Sequence, residues 1–442
     1  RAAAPEFLRC DARTEACVIT DPVERRRLVE DTFQKYADFV NPGLAKTFRM
    51  LSETVEWEAE GAVVRDIDGK EYLDFSGGPA VFILGHRHPR VVQAVVEQIG
   101  RMPLSIRAMV HRPAAELAAL LAEVTPGDLR YSFFCHSGSE ANEGAIKLAR
   151  LATGKPGIIS TEGAFHGKTM GALSASGREK YRKPFEPLVP GFTHVPFGDA
   201  DALERAIDER TAAFIVEPIQ GEAGVRIPPD DYLPRVRAIC DRRRVLLIAD
   251  EVQTGMGRTG RMFACEHWGV VPDILTTAKG LGGGVMPIGA FTARPHLWEK
   301  MAADPFLHSS TLGGNQAACA AGVATIRTLL DEHLVARAGE MGEVLLGALR
   351  GAQERHRGLI REVRGKGLLI GVEFDDPDIA LMVAAWSIAR GVIVFFSLNN
   401  PEVLRLAPPA IITREQIALG VERMDAALSE VEQLLKEVEA SP

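Results

Sequence analysis

Two side chains of opposite charge stand at the ends of apolar runs. Val245-Leu246-Leu247-Ile248-Ala249 closes on Asp250, and Ile274-Leu275-Thr276-Thr277-Ala278 closes on Lys279, which is followed by Gly280-Leu281-Gly282-Gly283-Gly284. A short β-branched run ending in an acid reads as a buried strand that delivers a carboxylate to its carboxyl end, the rim where open α/β sheets bind ligands. If the two strands are neighbours, amine and carboxylate face one pocket. A turn-capping acid and a solvated lysine fit the same two segments.

One cofactor uses such a pair directly. Pyridoxal phosphate needs a lysine to hold its aldehyde as a Schiff base, and an acid against the pyridine nitrogen to keep it protonated so that the ring accepts electrons. Lys279 and Asp250 fit the two roles.

Other stretches could complete a site. Cys135-His136-Ser137-Gly138-Ser139-Glu140 lies between a predicted strand and a helix running to about Leu151. Backbone N–H groups at such a helix start, around Ser137, Gly138 and Ser139, suit a phosphate, although a plain serine N-cap explains the same residues. Gly163-Ala164-Phe165-His166-Gly167-Lys168-Thr169 imitates a nucleotide-binding P-loop but has three residues between its glycines. The P-loop needs four, and Gly171-Ala172-Leu173-Ser174-Ala175-Ser176-Gly177 is a poor helix start, so the nucleotidase reading fails. Phe165 offers a flat face to an aromatic ring, worth about 0.5–1.5 kcal/mol beyond burial, or is a core phenylalanine. Glu217 and Glu222 follow another apolar strand; no His or Asp cluster completes a metal shell around them, and a glycosidase would leave Lys279 unused. Ser310 and Thr311, in His308-Ser309-Ser310-Thr311-Leu312-Gly313-Gly314, repeat the hydroxyl-plus-glycine chemistry of anion binding. Arg405 sits inside the apolar run Val403–Leu406, where it either faces inward and takes a substrate carboxylate through a bidentate fork or faces solvent on an edge strand.

The elements that must position these groups alternate. Candidate strands are Tyr131–Phe134, Gly157–Ser160, Ala213–Val216, Val245–Ala249, Ile274–Thr277 and Ile288–Thr292, with helices between several of them, the order of a mostly parallel sheet covered on both faces. Before them come an arm to about Ala45 with a helix around Val23–Phe39, a hairpin from Ala62 to Phe75 around Asp68-Gly69, and two amphipathic helices between Val91 and Val124. After them come helices from Gln316 and Leu334, strands Leu359–Val363, Leu368–Phe374, Val392–Phe395 and Val403–Leu406, and a closing helix Gln416–Val438. The expected organisation is an α/β fold: an N-terminal arm with part of a small domain (1–80), a large domain (81–330) and a C-terminal α+β domain (331–442).

The chain has 442 residues, ample for two or three domains, with 46% hydrophobic and 25% charged residues. A net charge of -8 offers no attraction to nucleic acid or acidic membranes, and no apolar run approaches the ~20 residues of a membrane span. Six scattered cysteines without metal-ligand spacing read as free thiols in a reducing cytoplasm, and Arg1–Phe7 lacks the apolar region of a signal peptide.

Assembled, Ser137-Gly138-Ser139-Glu140, Phe165-His166-Gly167, Glu217-Pro218-Ile219-Gln220-Gly221-Glu222, Ala249-Asp250-Glu251-Val252-Gln253-Thr254-Gly255, Lys279 and Ser310-Thr311-Leu312-Gly313-Gly314-Asn315 resemble, in order, the motifs of class III pyridoxal-phosphate aminotransferases of the ornithine/ω-amino acid type, over about Val55–Thr413. The resemblance implies fold type I, a seven-stranded sheet, pyridoxal 5'-phosphate, an amine and an oxo acid as substrates, and a homodimer with shared sites. It makes Lys279 the Schiff-base lysine and proton shuttle, Asp250 the partner of the pyridine nitrogen, Gln253 a hydrogen-bond partner of the cofactor phenolic oxygen and Phe165 the stacking ring. Gly138 and Ser139 would hold the phosphate in one subunit and Thr311 would reach it from the other; Ser137, His166, Glu217 and Ser310 fall in the same cofactor-binding motifs. Glu222 would pair with Arg405 and release it to an oxo acid such as 2-oxoglutarate. Tyr131–Cys135 and Leu398–Pro401 are similar to putrescine aminotransferases. Where ornithine-using relatives carry a tyrosine, this chain has Gly78-Pro79 and then Val81-Phe82-Ile83-Leu84, which points to an apolar amine or aldehyde, with Phe82 as a substrate contact. An ornithine or acetylornithine aminotransferase, an aminomutase or decarboxylase on the same fold, and a non-catalytic cofactor-binding module are the competing readings.

Overall fold

The computed structural model describes Ile19 and residues 21–439. Its centre is a seven-stranded sheet in the order Tyr131–Cys135, Gly289–Ala293, Ile274–Thr277, Leu246–Asp250, Thr211–Val216, Gly157–Thr161, Phe192–Val195. Gly289–Ala293 runs antiparallel to both neighbours, and the remaining pairs are parallel. Thr211–Val216 is buried at every position, which is why it reads as a continuous apolar run. The helix Gly138–Thr153 lies on this sheet through Ala141, Ala145, Leu148 and Ala149, all fully buried; small residues let its backbone come close. The edge strand Phe192–Val195 escaped the sequence reading because Thr193 and His194 interrupt its apolar pattern.

Two four-stranded sheets flank this core. One joins Glu56–Glu60, Val63–Asp66 and Glu71–Asp74 to Val392–Ile393; the other joins Ile360–Lys366, Leu369–Phe374, Val403–Leu406 and Phe395–Phe396. The hairpin expected around Asp68-Gly69 is present: Asp66 Oδ1 accepts the N–H groups of Asp68 and Lys70, both at 2.9 Å, and Gly69 takes φ +81°. The segment expected as one strand, Val392–Phe395, divides between the sheets. Val392 and Ile393 pair parallel with Leu73 and Asp74, whereas Phe395 and Phe396 pair antiparallel with Arg405 and Leu404. Val394, fully buried between them, is where the chain changes partner.

The helix expected near Val23–Phe39 is Pro22–Lys35, loosened into a π turn at Tyr36–Val40. It stops at Asn41, whose side chain accepts the N–H of Gly43 at 2.8 Å and starts a second helix, Pro42–Leu51. Cys135, Cys240, Cys265 and Cys319 are buried and free, while Cys10 and Cys17 lie outside the described residues. Among the described residues no helix is long and apolar enough to cross a membrane.

Candidate active site

Adjacent parallel strands bring the acid and the lysine together. Asp250 pairs in register with Thr276, three residues before Lys279, so both side chains reach the carboxyl rim of the sheet. There they line one cavity of about 420 Å³ together with Ser137, Gly138, Ser139, Phe165, His166, Glu217, Glu222 and Gln253.

Asp250 is almost wholly buried and held at both oxygens. Oδ2 accepts from Asn142 Nδ2 at 2.7 Å and lies 2.7 Å from His166 Nδ1; Oδ1 accepts from Val252 N at 3.0 Å. Because a carboxylate only accepts, His166 carries its proton on Nδ1, and Nε2 then accepts from the Ser160 hydroxyl at 3.2 Å. Asn142 is oriented in turn, donating to His166 O at 2.8 Å and accepting from Thr276 Oγ1 at 2.8 Å. Oδ1 thus caps the turn at Val252, while Oδ2 is bound by two side chains from elsewhere in the fold, so the acid is more than a turn cap. Asn142, Ser160 and Thr276 were missed as site residues; an asparagine among Ala141, Gly144 and Ala145 on the sheet-facing side of a helix was the available signal.

Lys279 stands at φ +45°, which turns the chain sharply into the glycine-rich loop. Burial lowers its amine to about 8, with Arg405 pushing the same way against Glu222, Asp250 and Glu217. Near neutrality a useful fraction of the amine is unprotonated and nucleophilic.

At the helix start Ser137 is committed to capping. Its Oγ accepts from Glu140 N at 3.2 Å and donates to Glu140 Oε2 at 3.1 Å, while Oε2 also accepts from His136 N at 2.9 Å. The anion-binding capacity at this end of a 16-residue helix lies with the backbone of Gly138 and Ser139 and with Ser139 Oγ. Phe165 lines the cavity, and its N–H donates to Glu217 Oε1 at 3.0 Å. Burial, helped by Asp250, raises the Glu217 carboxyl to about 7.

Arg405 faces inward. It is 3% exposed and pairs with Glu222, whose Oε1 also accepts from Gln253 Nε2 at 3.0 Å and whose Oε2 accepts from Leu398 N at 3.0 Å. Burial raises the Glu222 carboxyl, but Arg405, Lys279 and these donors outweigh it and leave it below its ordinary value. The solvent-facing alternative for Arg405 is thereby excluded.

Four expected site residues do not line this cavity: Arg405, which meets it through Glu222, and Phe82, Ser310 and Thr311. The Phe82 ring stacks on His86 with centroids 3.9 Å apart and abuts Gly284, which does line the cavity, so Phe82 backs its wall. Ser310 and Thr311 belong to a separate loop whose carbonyls accept from Arg107; Thr311 lines a different surface pocket with His111 and Gly313.

An α/β protein in which this amine, this anchored acid and a phosphate-ready helix start line one cavity fits pyridoxal phosphate by the chemistry of its donor set, and defines a fold type I enzyme of that cofactor. The family model for class-III aminotransferases matches residues 47–428. The chain belongs to that family and is a pyridoxal-phosphate-dependent aminotransferase. It is similar to the ornithine aminotransferase of Toxoplasma gondii at 34% identity and TM-score 0.85, covering 94% of this chain and 99% of that one. An (S)-enantioselective ω-transaminase from Thermomicrobium roseum shares 35% identity at TM-score 0.84, covering 92% and 98%. A transaminase from the marine bacterium Virgibacillus shares 31% at TM-score 0.86, covering 93% and 100%.

Proposed function

We propose that the donor is an ω-amine with an apolar carbon chain and the acceptor an oxo acid such as 2-oxoglutarate or pyruvate, in a ping-pong cycle. The observation that carries this reading is the buried Glu222–Arg405 pair, set beside a cavity whose other wall is Val81, Val285, Met286, Pro287 and Ile288. Paired, Arg405 presents no free cation to an amine that has no carboxylate there. Released, it offers the fork that a carboxylate needs.

The residues divide the work. Lys279 Nζ would hold the cofactor aldehyde and, once freed, would serve as the base that carries a proton to and from the substrate carbon. Asp250 would hold the pyridine nitrogen protonated, and Asn142 and His166 fix the direction of its carboxylate. Phe165 would offer its face to the ring, Gly138 and Ser139 would hold the phosphate, and the Gln253 amide would hydrogen-bond the phenolic oxygen. The cofactor supplies the electron sink that stabilises charge on the substrate carbon.

The reading includes a homodimer in which Thr311 completes the partner's phosphate site. Supporting it, the Thr311 loop carries Phe306, Leu307 and Leu312, exposed, and it is tied through Arg107 to a segment that exposes Ile106, Met109 and Val110. Apolar side chains in this density mark a contact surface. An active enzyme that sediments as a monomer overturns this part. The division into 1–80, 81–330 and 331–442 is supported by the sheets, the first and last parts sharing strands through Val392–Ile393. Four buried free thiols support a reducing cytoplasm, and the net charge of -8 speaks against a nucleic-acid partner; a native disulfide, or nucleic-acid binding at physiological salt, argues against these.

The test is to mix holoenzyme with single amines and amino acids, without acceptor, and follow its visible band. Alkyl ω-amines are expected to bleach the band, and 2-oxoglutarate or pyruvate to restore it. Faster conversion by ornithine than by any alkyl amine removes the donor assignment. Carbon dioxide release or isomerisation without conversion of the cofactor replaces transamination by a sister reaction.

A further inference from the structure

We propose that Arg258 is a positioning residue for the oxo-acid half-reaction, holding the Arg405 strand against the loop that follows Asp250 and carries Gln253. The proposal rests on the reading of Arg405 as the receptor for the oxo-acid carboxylate.

Arg258 is 1% exposed and is among the largest fully buried side chains of the protein. Its Nη1 donates to three backbone carbonyls: Leu368 O at 3.3 Å, Ala407 O at 2.9 Å and Pro408 O. Its own carbonyl accepts from Leu368 N at 2.9 Å. Leu368 immediately precedes the strand Leu369–Phe374, and Ala407-Pro408 immediately follow Val403–Leu406. These strands are paired antiparallel, with Ile370 opposite Leu406 and Gly371 opposite Arg405. One guanidinium nitrogen thus closes the end of the two-strand ribbon on which Arg405 sits, one pair further in. The packing is tight, since a Cβ at Gly367 would stand 2.8 Å from Arg258 O.

The same loop grips Arg405 a second time. Gln253 Nε2 donates to Glu222 Oε1, the oxygen that also takes Arg405 Nη1. Head and backbone of Arg405 are therefore both referenced to the segment that runs from the catalytic acid to Arg258.

A neutral donor could pin these carbonyls at far lower cost than a desolvated cation. Among the described residues Arg258 has no carboxylate hydrogen-bonded to it, its Nε and Nη2 are unpartnered, and burial, with Arg405 adding to it, lowers the guanidinium to about 9 against the pull of Asp74. A positive charge behind Arg405 has a use in the reaction. It penalises every state in which Arg405 lacks an anion, and so favours direct exchange between Glu222 and an incoming carboxylate.

The experiment compares Arg258→Gln, Arg258→Lys, Arg405→Leu and the double variant Arg258→Gln/Arg405→Leu as holoenzymes, measuring each half-reaction separately. Arg258→Gln is expected to raise KM for 2-oxoglutarate about tenfold while the alkyl-amine half-reaction stays within about threefold, with Arg258→Lys between it and the parent. The double variant is expected to match Arg405→Leu, because a residue that acts through Arg405 has nothing left to act on. Equal loss in both half-reactions, an unchanged KM, or additive effects in the double variant overturn the proposal and leave Arg258 a plain structural pin. If Arg405→Leu itself leaves KM for the oxo acid unchanged, the reading of Arg405 fails and this proposal falls with it. Should Arg258→Gln not fold, a raised oxo-acid KM in Arg258→Lys with the amine half-reaction retained supports the proposal, and an unchanged KM overturns it.

Discussion

Lys279→Ala is expected to lower kcat by about ten-thousand-fold or more, since in the proposed mechanism one side chain supplies both the covalent anchor and the proton shuttle. The variant should still take up the cofactor through the helix start and Asp250, but without the visible band of covalent attachment. Turnover within tenfold of the parent, or a retained band, would refute the assignment. The depressed amine adds a pH signature. A lysine whose amine sits at about 8 is mostly protonated below that pH, its free fraction falling tenfold per unit, and mostly free above it. Capture of added cofactor by apoenzyme should therefore quicken by roughly tenfold per pH unit below about 8 and level off there, two units or so earlier than for an ordinary lysine. A rate still climbing at pH 10 would show that the amine is not desolvated in this way.

Asp250→Asn is expected to cost about a thousand-fold in kcat with little change in overall structure. The replacement is nearly isosteric and keeps an oxygen for Val252 N or Asn142 Nδ2, but it removes the negative charge. An opposite charge in contact shifts a pKa by about 1–3 units, so in the proposed arrangement the pyridine nitrogen would lose its proton and the ring its capacity to take up electrons. His166 Nδ1 also loses a charged acceptor. The single-turnover rate with an alkyl amine is the measurement to make. A loss below tenfold would mean that something other than Asp250 sets the protonation of the ring.

Local patterns made much of this site legible. Apolar runs ending in Asp250 and Lys279 announced two strands and their rim, and the helix start at Ser137 was visible as a serine followed by glycine and an acid three residues on. Periodicity encodes the element and the face because burial acts on one residue's immediate surroundings. The hairpin, the central strands and the long helices followed for the same reason.

The chemistry was thus written in the order of the residues: an α/β chain of the class-III aminotransferase type, with its lysine and its acid. How the remaining groups are shared out depended on the folded arrangement. Folding turned Arg405 inward onto Glu222, 183 residues away, where the run Val403–Leu406 left both faces open. It split Val392–Phe396 between two sheets, spent the Ser137 hydroxyl on a helix cap, recruited Asn142, Ser160 and Thr276 behind the acid, and set Phe82 behind the cavity wall. These outcomes share one cause. A side chain's type limits the bonds it can make, but its partner is chosen by whichever distant segment the fold brings within about 3 Å, and no local pattern records that choice.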